Sequence, residues 1–100
     1  MPQLISLTQE LATPGAKPRR MLAQGPGWKI LLLDLRNGGE IPVHSAPGPI
    51  TVHCLQGQAA FAINDEWRPL AAGDIQTVEA NVPHAVKAPQ GAVLLLHIVA

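Results

Sequence analysis

Apolar residues in this sequence occur in short runs that are separated by turns rich in glycine and proline. The first long run is Trp28–Leu35 (WKILLLDL), which lies between a glycine and an Asn-Gly-Gly segment. Its length and its flanks predict a β-strand that is covered on both faces. The last run, Ala92–Val99 (AVLLLHIV), predicts a second buried strand of the same kind. The two runs therefore mark the core of the predicted fold.

Five shorter strands are predicted between these two runs, with turns at nearly even spacing. They are Ile50–Leu55, Ala59–Ile63, Trp67–Leu70, Ile75–Val78 and Ala85–Ala88. Gly57-Gln58 is predicted to turn the chain between the first two, and a hairpin is predicted at residues 64–66. Many short strands with almost no helical pattern indicate an all-β antiparallel barrel or sandwich.

The N-terminal segment has a different pattern, with apolar residues at roughly helical spacing from Leu4 to Leu11. Ser6 or Thr8 can cap a helix here, and Pro14 would end it. The segment therefore predicts a short helix or an ordered arm.

Residues 14–27 are rich in proline, glycine, lysine and arginine, which indicates a surface connection. Lys17, Arg19 and Arg20 are interpreted as a solvated loop rather than as an anion site. We expect one domain over residues 1–100, with an arm and loop at 1–27 and a β-barrel at 28–99.

The charge balance argues against two classes of partner. Hydrophobic residues make up 47% of the chain and charged residues 14%, and the formal net charge is zero. Soluble proteins average about 25% charged residues, so we expect some apolar surface to be buried in a homodimer. Without net positive charge, and with three aromatic residues in all, the chain is not expected to bind nucleic acid or an anionic membrane.

Cysteine usage and hydropathy bear on the compartment. Cys54 is the only cysteine, so it has no partner for an internal disulfide. The first residues lack the pattern of a secretion signal, and no segment has the about 20 apolar residues of a membrane span. A cytoplasmic location is expected.

Residues 38–57 (GGEIPVHSAPGPITVHCLQG) contain the most informative spacing. Gly38, His44 and Gly57 occur at the spacing of the first cupin motif, in which a glycine precedes His-x-His, a glutamate and a closing glycine. Ala46 stands at the second histidine position and Ile50 at the glutamate position. This stretch resembles a first cupin motif in which the second histidine and the glutamate are replaced by apolar residues.

A second motif follows at the next predicted corner. Gly73 and His84 match its glycine and histidine, and Asn81 replaces the glycine of its Pro-x-Gly turn. Asparagine tolerates positive φ better than most residues, so the turn can be kept. Over residues 28–99 the chain resembles small bacterial single-domain cupins of the RmlC-like type. The resemblance implies a double-stranded β-helix, or jelly-roll barrel, preceded by a short helix or arm.

The same resemblance implies a metal held by three histidines and a glutamate, of which only His44 and His84 are matched. His97 is the best remaining third ligand, although a hydrogen-bonded core histidine is an alternative for it. His53 is expected to point away from the pocket because of its position on the strand. The candidate metal is a single divalent ion (Fe, Zn, Mn, Ni or Cu). No nucleotide or flavin motif is found.

Three functions remain open from the sequence, which does not decide whether the chain is an enzyme. The first is binding of a small organic ligand in a pocket lined by Ile50, Val52, Phe61 and Ile63, with His44 and His84 at its mouth. The second is a metal-dependent oxygenase or isomerase acting on a small organic substrate. The third is a non-catalytic dimerisation or regulatory module.

Overall fold

The computed structural model describes residues 3–13 and 17–99. Within these ranges the chain forms one helix and eight strands. They are α1 (Leu7–Ala12), β1 (Arg19–Gly25), β2 (Trp28–Leu35), β3 (Glu40–His44), β4 (Ile50–Ile63), β5 (Glu66–Ala71), β6 (Ile75–Val78), β7 (His84–Lys87) and β8 (Ala92–Val99). No helix in the described ranges has the length and hydropathy needed to cross a membrane.

Strand β4 joins two antiparallel sheets into a jelly roll. Sheet A has the order β1-β2-β8-β4-β6 and uses residues 50–57 of β4. Sheet B has the order β3-β7-β4-β5 and uses residues 58–63 of the same strand. The prediction of an all-β jelly-roll barrel is confirmed.

The core lies between the inner faces of the two sheets, because alternate residues of each strand point inward. From sheet A it receives residues such as Leu33, Val52 and Leu94, and from sheet B Phe61 and Val86. Val52 and Leu94 are almost completely buried. These side chains form the walls of the cavity described below.

The predicted turn at Gly57-Gln58 is wrong, because β4 runs without a break for 14 residues. Gly57 has a φ of +73° and follows a bulge in the pairing with β8. A Cβ at this position would overlap the carbonyl oxygen of Gly91. The glycine therefore bends the strand from one sheet into the other, which is a common role of bulges with a glycine at positive φ.

The predicted surface connection at residues 14–27 is also wrong, because it contains β1. This strand pairs with β2 from Arg19 opposite Leu33 to Gly25 opposite Trp28. The barrel thus begins at Arg19 and not at Trp28. A strand at the edge of a sheet is paired on one side only, so it can keep the polar composition that resembled a loop.

The predicted helix is present, and it is capped by Ser6 rather than by Thr8. The Ser6 hydroxyl accepts a hydrogen bond from the backbone N–H of Gln9 at 3.3 Å. The predicted stop at Pro14 lies outside the described residues.

A charged cluster fastens α1 to the sheet. The Asp34 carboxylate accepts hydrogen bonds from Arg20 at 3.0 Å and from Arg36 at 2.6 Å. The same guanidinium groups donate to the backbone carbonyls of Glu10 and Leu11 at the end of the helix. The hydrogen bonds from Arg36 lower the pKa of Asp34, although partial burial opposes the shift. The cluster links the N-terminal segment to β1 and β2.

Candidate functional site

The interior of the barrel contains a cavity of about 60 Å³, measured as the space open to the centre of a water-sized sphere. Its walls are apolar except at three side chains. The lining residues are Arg19, Leu31, Leu33, Ile41, His44, Ala46, Ile50, Val52, Phe61, His84, Ala85, Val86, Leu94, Leu96 and Ile98. The polar chemistry of the cavity is therefore supplied by Arg19, His44 and His84.

Strands β3 and β7 bring the two predicted histidines together. His44 lies directly opposite His84 in the antiparallel register, after an irregularity that begins at Ile41. The imidazole centroids are 4.2 Å apart and the ring planes make an angle of 65°. His84 is also stacked on Phe61, with centroids 6.0 Å apart and planes at 9°. His84 is buried, whereas His44 is exposed at the mouth.

Both histidines use the same ring nitrogen to hold their position. Nδ1 of His44 is 2.9 Å from the carbonyl oxygen of Pro42, and Nδ1 of His84 is 2.9 Å from that of Val82. A carbonyl oxygen can only accept, so each Nδ1 carries the proton. In a neutral ring the other nitrogen, Nε2, then presents a lone pair.

The surroundings of His84 favour its neutral form. Burial lowers the pKa of His84, and the proximity of His44 lowers it further, although the hydrogen bond to Val82 opposes the shift. Nε2 of His84 has no hydrogen-bond partner among the described residues, yet it is not one of the fully enclosed polar atoms. Because the residue is only 5% exposed, we infer that this nitrogen faces the cavity.

Three of the four predicted pocket residues line the cavity. Ile50, Val52 and Phe61 are among its walls, and Ile63 is not. Ile63 packs against the core at the end of β4, next to the hairpin. Ile63 shares the inward face of β4 with Phe61, but it lies two residues, about 7 Å, further along the strand.

His97 lies away from the histidine pair. Leu94, Leu96 and Ile98 take the cavity side of β8, so the alternation of the strand places His97 on the outer face, where it is exposed. His53 also lies outside the cavity, as expected from its parity. The structure therefore brings His44 and His84 together without either of these residues.

The sequence interpretation missed Arg19. The prediction that Arg19 lies in a solvated loop is wrong, because Arg19 is the first residue of β1 and lines the cavity together with the two histidines. Its pairing with Leu33, an inward residue of β2, gives the reason. The arginine that follows, Arg20, points to the other face and binds Asp34. Had β1 been predicted as a strand, its alternation would have placed Arg19 and Arg20 on opposite faces of the sheet.

The donor set does not fit the four-ligand metal site that the cupin resemblance implies. Ala46 and Ile50, which occupy two of its ligand positions, both line the cavity and are apolar. No group of three or more His, Cys, Asp or Glu residues that could hold a metal ion occurs in ranges 3–13 and 17–99. Protein zinc sites typically have at least three protein ligands, and this cavity offers only the two imidazoles.

A jelly-roll barrel with a small interior cavity and histidines at its mouth has the architecture of a cupin. A family model described as "Cupin domain" matches residues 31–99, and the chain belongs to this family.

Similar solved structures agree with this assignment. A conserved protein of unknown function from Streptococcus pyogenes is 33% identical, with a TM-score of 0.80, over 97% of this chain and 86% of that one. A cupin superfamily protein from Desulfitobacterium hafniense is 22% identical, with a TM-score of 0.81, over 99% of this chain and 94% of that one. No curated protein matches the chain. The family model establishes the family, and the solved structures establish the fold.

Proposed function

We propose that this cupin binds a small organic molecule in the barrel cavity. The proposal is carried by the Nε2 atoms of His44 and His84, which in neutral rings can accept hydrogen bonds at the mouth of a cavity whose other walls are apolar except for Arg19. Ligand sites in proteins typically combine apolar walls with a few polar groups that orient the ligand. The fixed Nδ1 hydrogen bonds hold both rings in place before a ligand arrives.

The size of the cavity limits the ligand. A single water needs about 10–15 Å³ of this kind of space, so 60 Å³ corresponds to about four to six water positions. The ligand is therefore a molecule with only a few non-hydrogen atoms inside the barrel. A larger ligand would have to extend through the mouth past His44.

Ligand binding is tested by a thermal-shift screen of small metabolites, with hits verified by NMR shifts of cavity residues. A molecule that binds only the native state raises its melting temperature. His44→Ala and His84→Ala should weaken binding, and Ala46→Leu should block it by filling the mouth. His53→Ala is the matched control, because His53 lies outside the cavity. Hits whose binding is unchanged in Ala46→Leu would contradict the proposal.

A metal bound by the two histidines is the alternative, as part of a metal-dependent enzyme. One observation favours it, since metal-ligating histidines usually donate their second ring N–H to a carbonyl or carboxylate. Elemental analysis of protein purified without chelator or affinity metal decides between the two. Stoichiometric Fe, Zn, Mn, Ni or Cu that is lost in both alanine variants would replace the organic-ligand proposal. Protein that stays metal-free after incubation with these ions would exclude the alternative.

We also propose that the chain forms a homodimer through the outer face of sheet A. We define this outer face by the residues that point away from the cavity near the Trp28 end of the sheet. They are Trp28, Ile30, Thr51, His53, Ile75, Leu95, His97 and Val99. None of the eight is Lys, Arg, Asp or Glu, and Trp28, Ile75 and Val99 are exposed. A face without fixed charge can pack against its own copy around a two-fold axis.

Light scattering combined with size-exclusion chromatography tests the dimer. Ile75→Lys should dissociate it, because a lysine would be buried unpaired in the interface. Val43→Lys is the matched control, since Val43 is an exposed apolar residue of sheet B. A monomeric wild-type protein would contradict the proposal. A stable dimer that binds no small molecule would instead support the dimerisation module.

A further inference from the structure

The cavity has a single charged residue among its lining residues, and that residue is a cation. Arg19 shares the cavity with 12 apolar residues and the two histidines. It begins β1 opposite Leu33, so its side chain starts from the inward face of the sheet. An arginine at this place gives the site a fixed positive charge, because guanidinium stays protonated at every physiological pH.

Arg19 has no acidic partner within the part of the chain that the structure describes. The ion pairs there use Arg20, Arg36 and Arg68. The neighbouring residue Arg20 differs from Arg19 in this respect, because it forms an ion pair with Asp34 on the other side of the sheet. The positive charge at the cavity is therefore available to a ligand.

The two imidazoles supply the complementary polarity. With Nδ1–H bonded to the backbone, Nε2 of a neutral imidazole accepts a hydrogen bond and does not donate one, and this applies to His44 and His84 alike. A ligand that satisfies all three groups has an anionic acceptor for Arg19 and a hydroxyl donor for an imidazole. The remaining walls require a short apolar part.

We infer that the ligand is a small hydroxycarboxylic acid, with its carboxylate on Arg19, its hydroxyl on the histidine pair and its carbon chain in the apolar cavity. This inference rests on the proposed binding function and specifies the ligand class. A carboxylate matches the planar fork of arginine, which can bind both of its oxygens. A phosphate dianion fits less well, since one guanidinium neutralises only half of its charge.

The experiment compares four probes of similar size by NMR titration of the full chain: lactate, propionate, 1,2-propanediol and inorganic phosphate. Lactate should bind most tightly, because propionate lacks the hydroxyl and the diol lacks the carboxylate. Arg19→Gln should weaken lactate and propionate binding by about ten-fold or more and leave the diol unchanged. Arg68→Gln is the matched control, because it removes the same charge from an exposed ion pair.

The outcomes distinguish failure of the inferred ligand class from failure of the proposed binding function. If the diol binds in the cavity and lactate binds no better, the carboxylate inference is overturned while the binding function stands. Equal lactate binding by wild type and Arg19→Gln also overturns the inference, as does tighter binding of phosphate than of lactate. If none of the probes shifts the signals of cavity residues such as Val52 and Leu94, and the wider metabolite screen also yields no ligand, the proposed function itself fails.

Discussion

His44 and His84 lie opposite each other on β3 and β7, with their ring centroids 4.2 Å apart. The two rings make equivalent hydrogen bonds but have different surroundings. His84 is buried against Phe61, whereas His44 is exposed. His84 therefore also contributes to the core, whereas His44 lies at the mouth of the cavity.

This difference predicts unequal effects on stability. His84→Ala should lower the free energy of unfolding by about 2–4 kcal/mol, because it removes a buried ring and leaves a space beside Phe61. His44→Ala should cost less than about 1 kcal/mol, as expected of an exposed side chain. Urea denaturation of both variants gives the comparison. Equal losses would show that the two rings support the core to the same extent.

The surroundings of His84 also predict how stability changes with pH. Burial holds the pKa of His84 in the folded protein below the ordinary histidine value of 6.5, so the unfolded chain takes up the proton first as the pH falls. The contribution of neutral His84 to the free energy of unfolding is complete above pH 6.5. It is lost as the pH falls toward the pKa that His84 has in the folded protein. Unfolding free energies at about pH 7.5 and about pH 5.5 measure this loss. His84→Gln should reduce the difference, and an unchanged difference would assign the pH dependence to other groups.

The motif spacing was sufficient to identify the barrel and to pair His44 with His84, because both histidines belong to fixed corners of the jelly roll. It was not sufficient for Arg19, since β1 is an edge strand with the composition of a loop. His97 could not be placed from the sequence, as both faces of β8 are apolar. In such a strand, the face on which a given side chain lies depends on the pairing register with neighbouring strands, and the sequence of the strand alone does not determine that register.

The Asp34 cluster predicts a second effect on stability. Asp34→Asn should cost about 1–3 kcal/mol, because Arg20 would lose the nearer of its two charged partners in a poorly solvated position and keep only Glu10 at 3.8 Å. Only 14% of the Arg20 side chain and 12% of the Asp34 side chain are exposed. The same change should weaken the attachment of α1, which is seen as faster amide exchange in the helix.

Glu66→Gln is the control for the Asp34 substitution. The Glu66–Arg68 pair is about 70% exposed on both sides, so its loss should change stability by less than about 0.5 kcal/mol. Comparable costs for the two substitutions would mean that burial does not strengthen the Asp34 cluster.

The close packing around Gly57 predicts a large loss of stability when this residue, at the bend of β4, is replaced. Gly57 and Gly73 both have positive φ, but only a Cβ at Gly57 would overlap backbone atoms, whereas the space around Gly73 is open within 4 Å. Gly73→Ala should therefore cost about 1–2 kcal/mol of backbone strain alone. Gly57→Ala should cost more than about 3 kcal/mol, because β4 and the loop before β8 must also move apart. Thermal and urea unfolding of the two variants measure the difference. Similar costs would show that the strand can bend between the two sheets without close contact between Gly57 and Gly91.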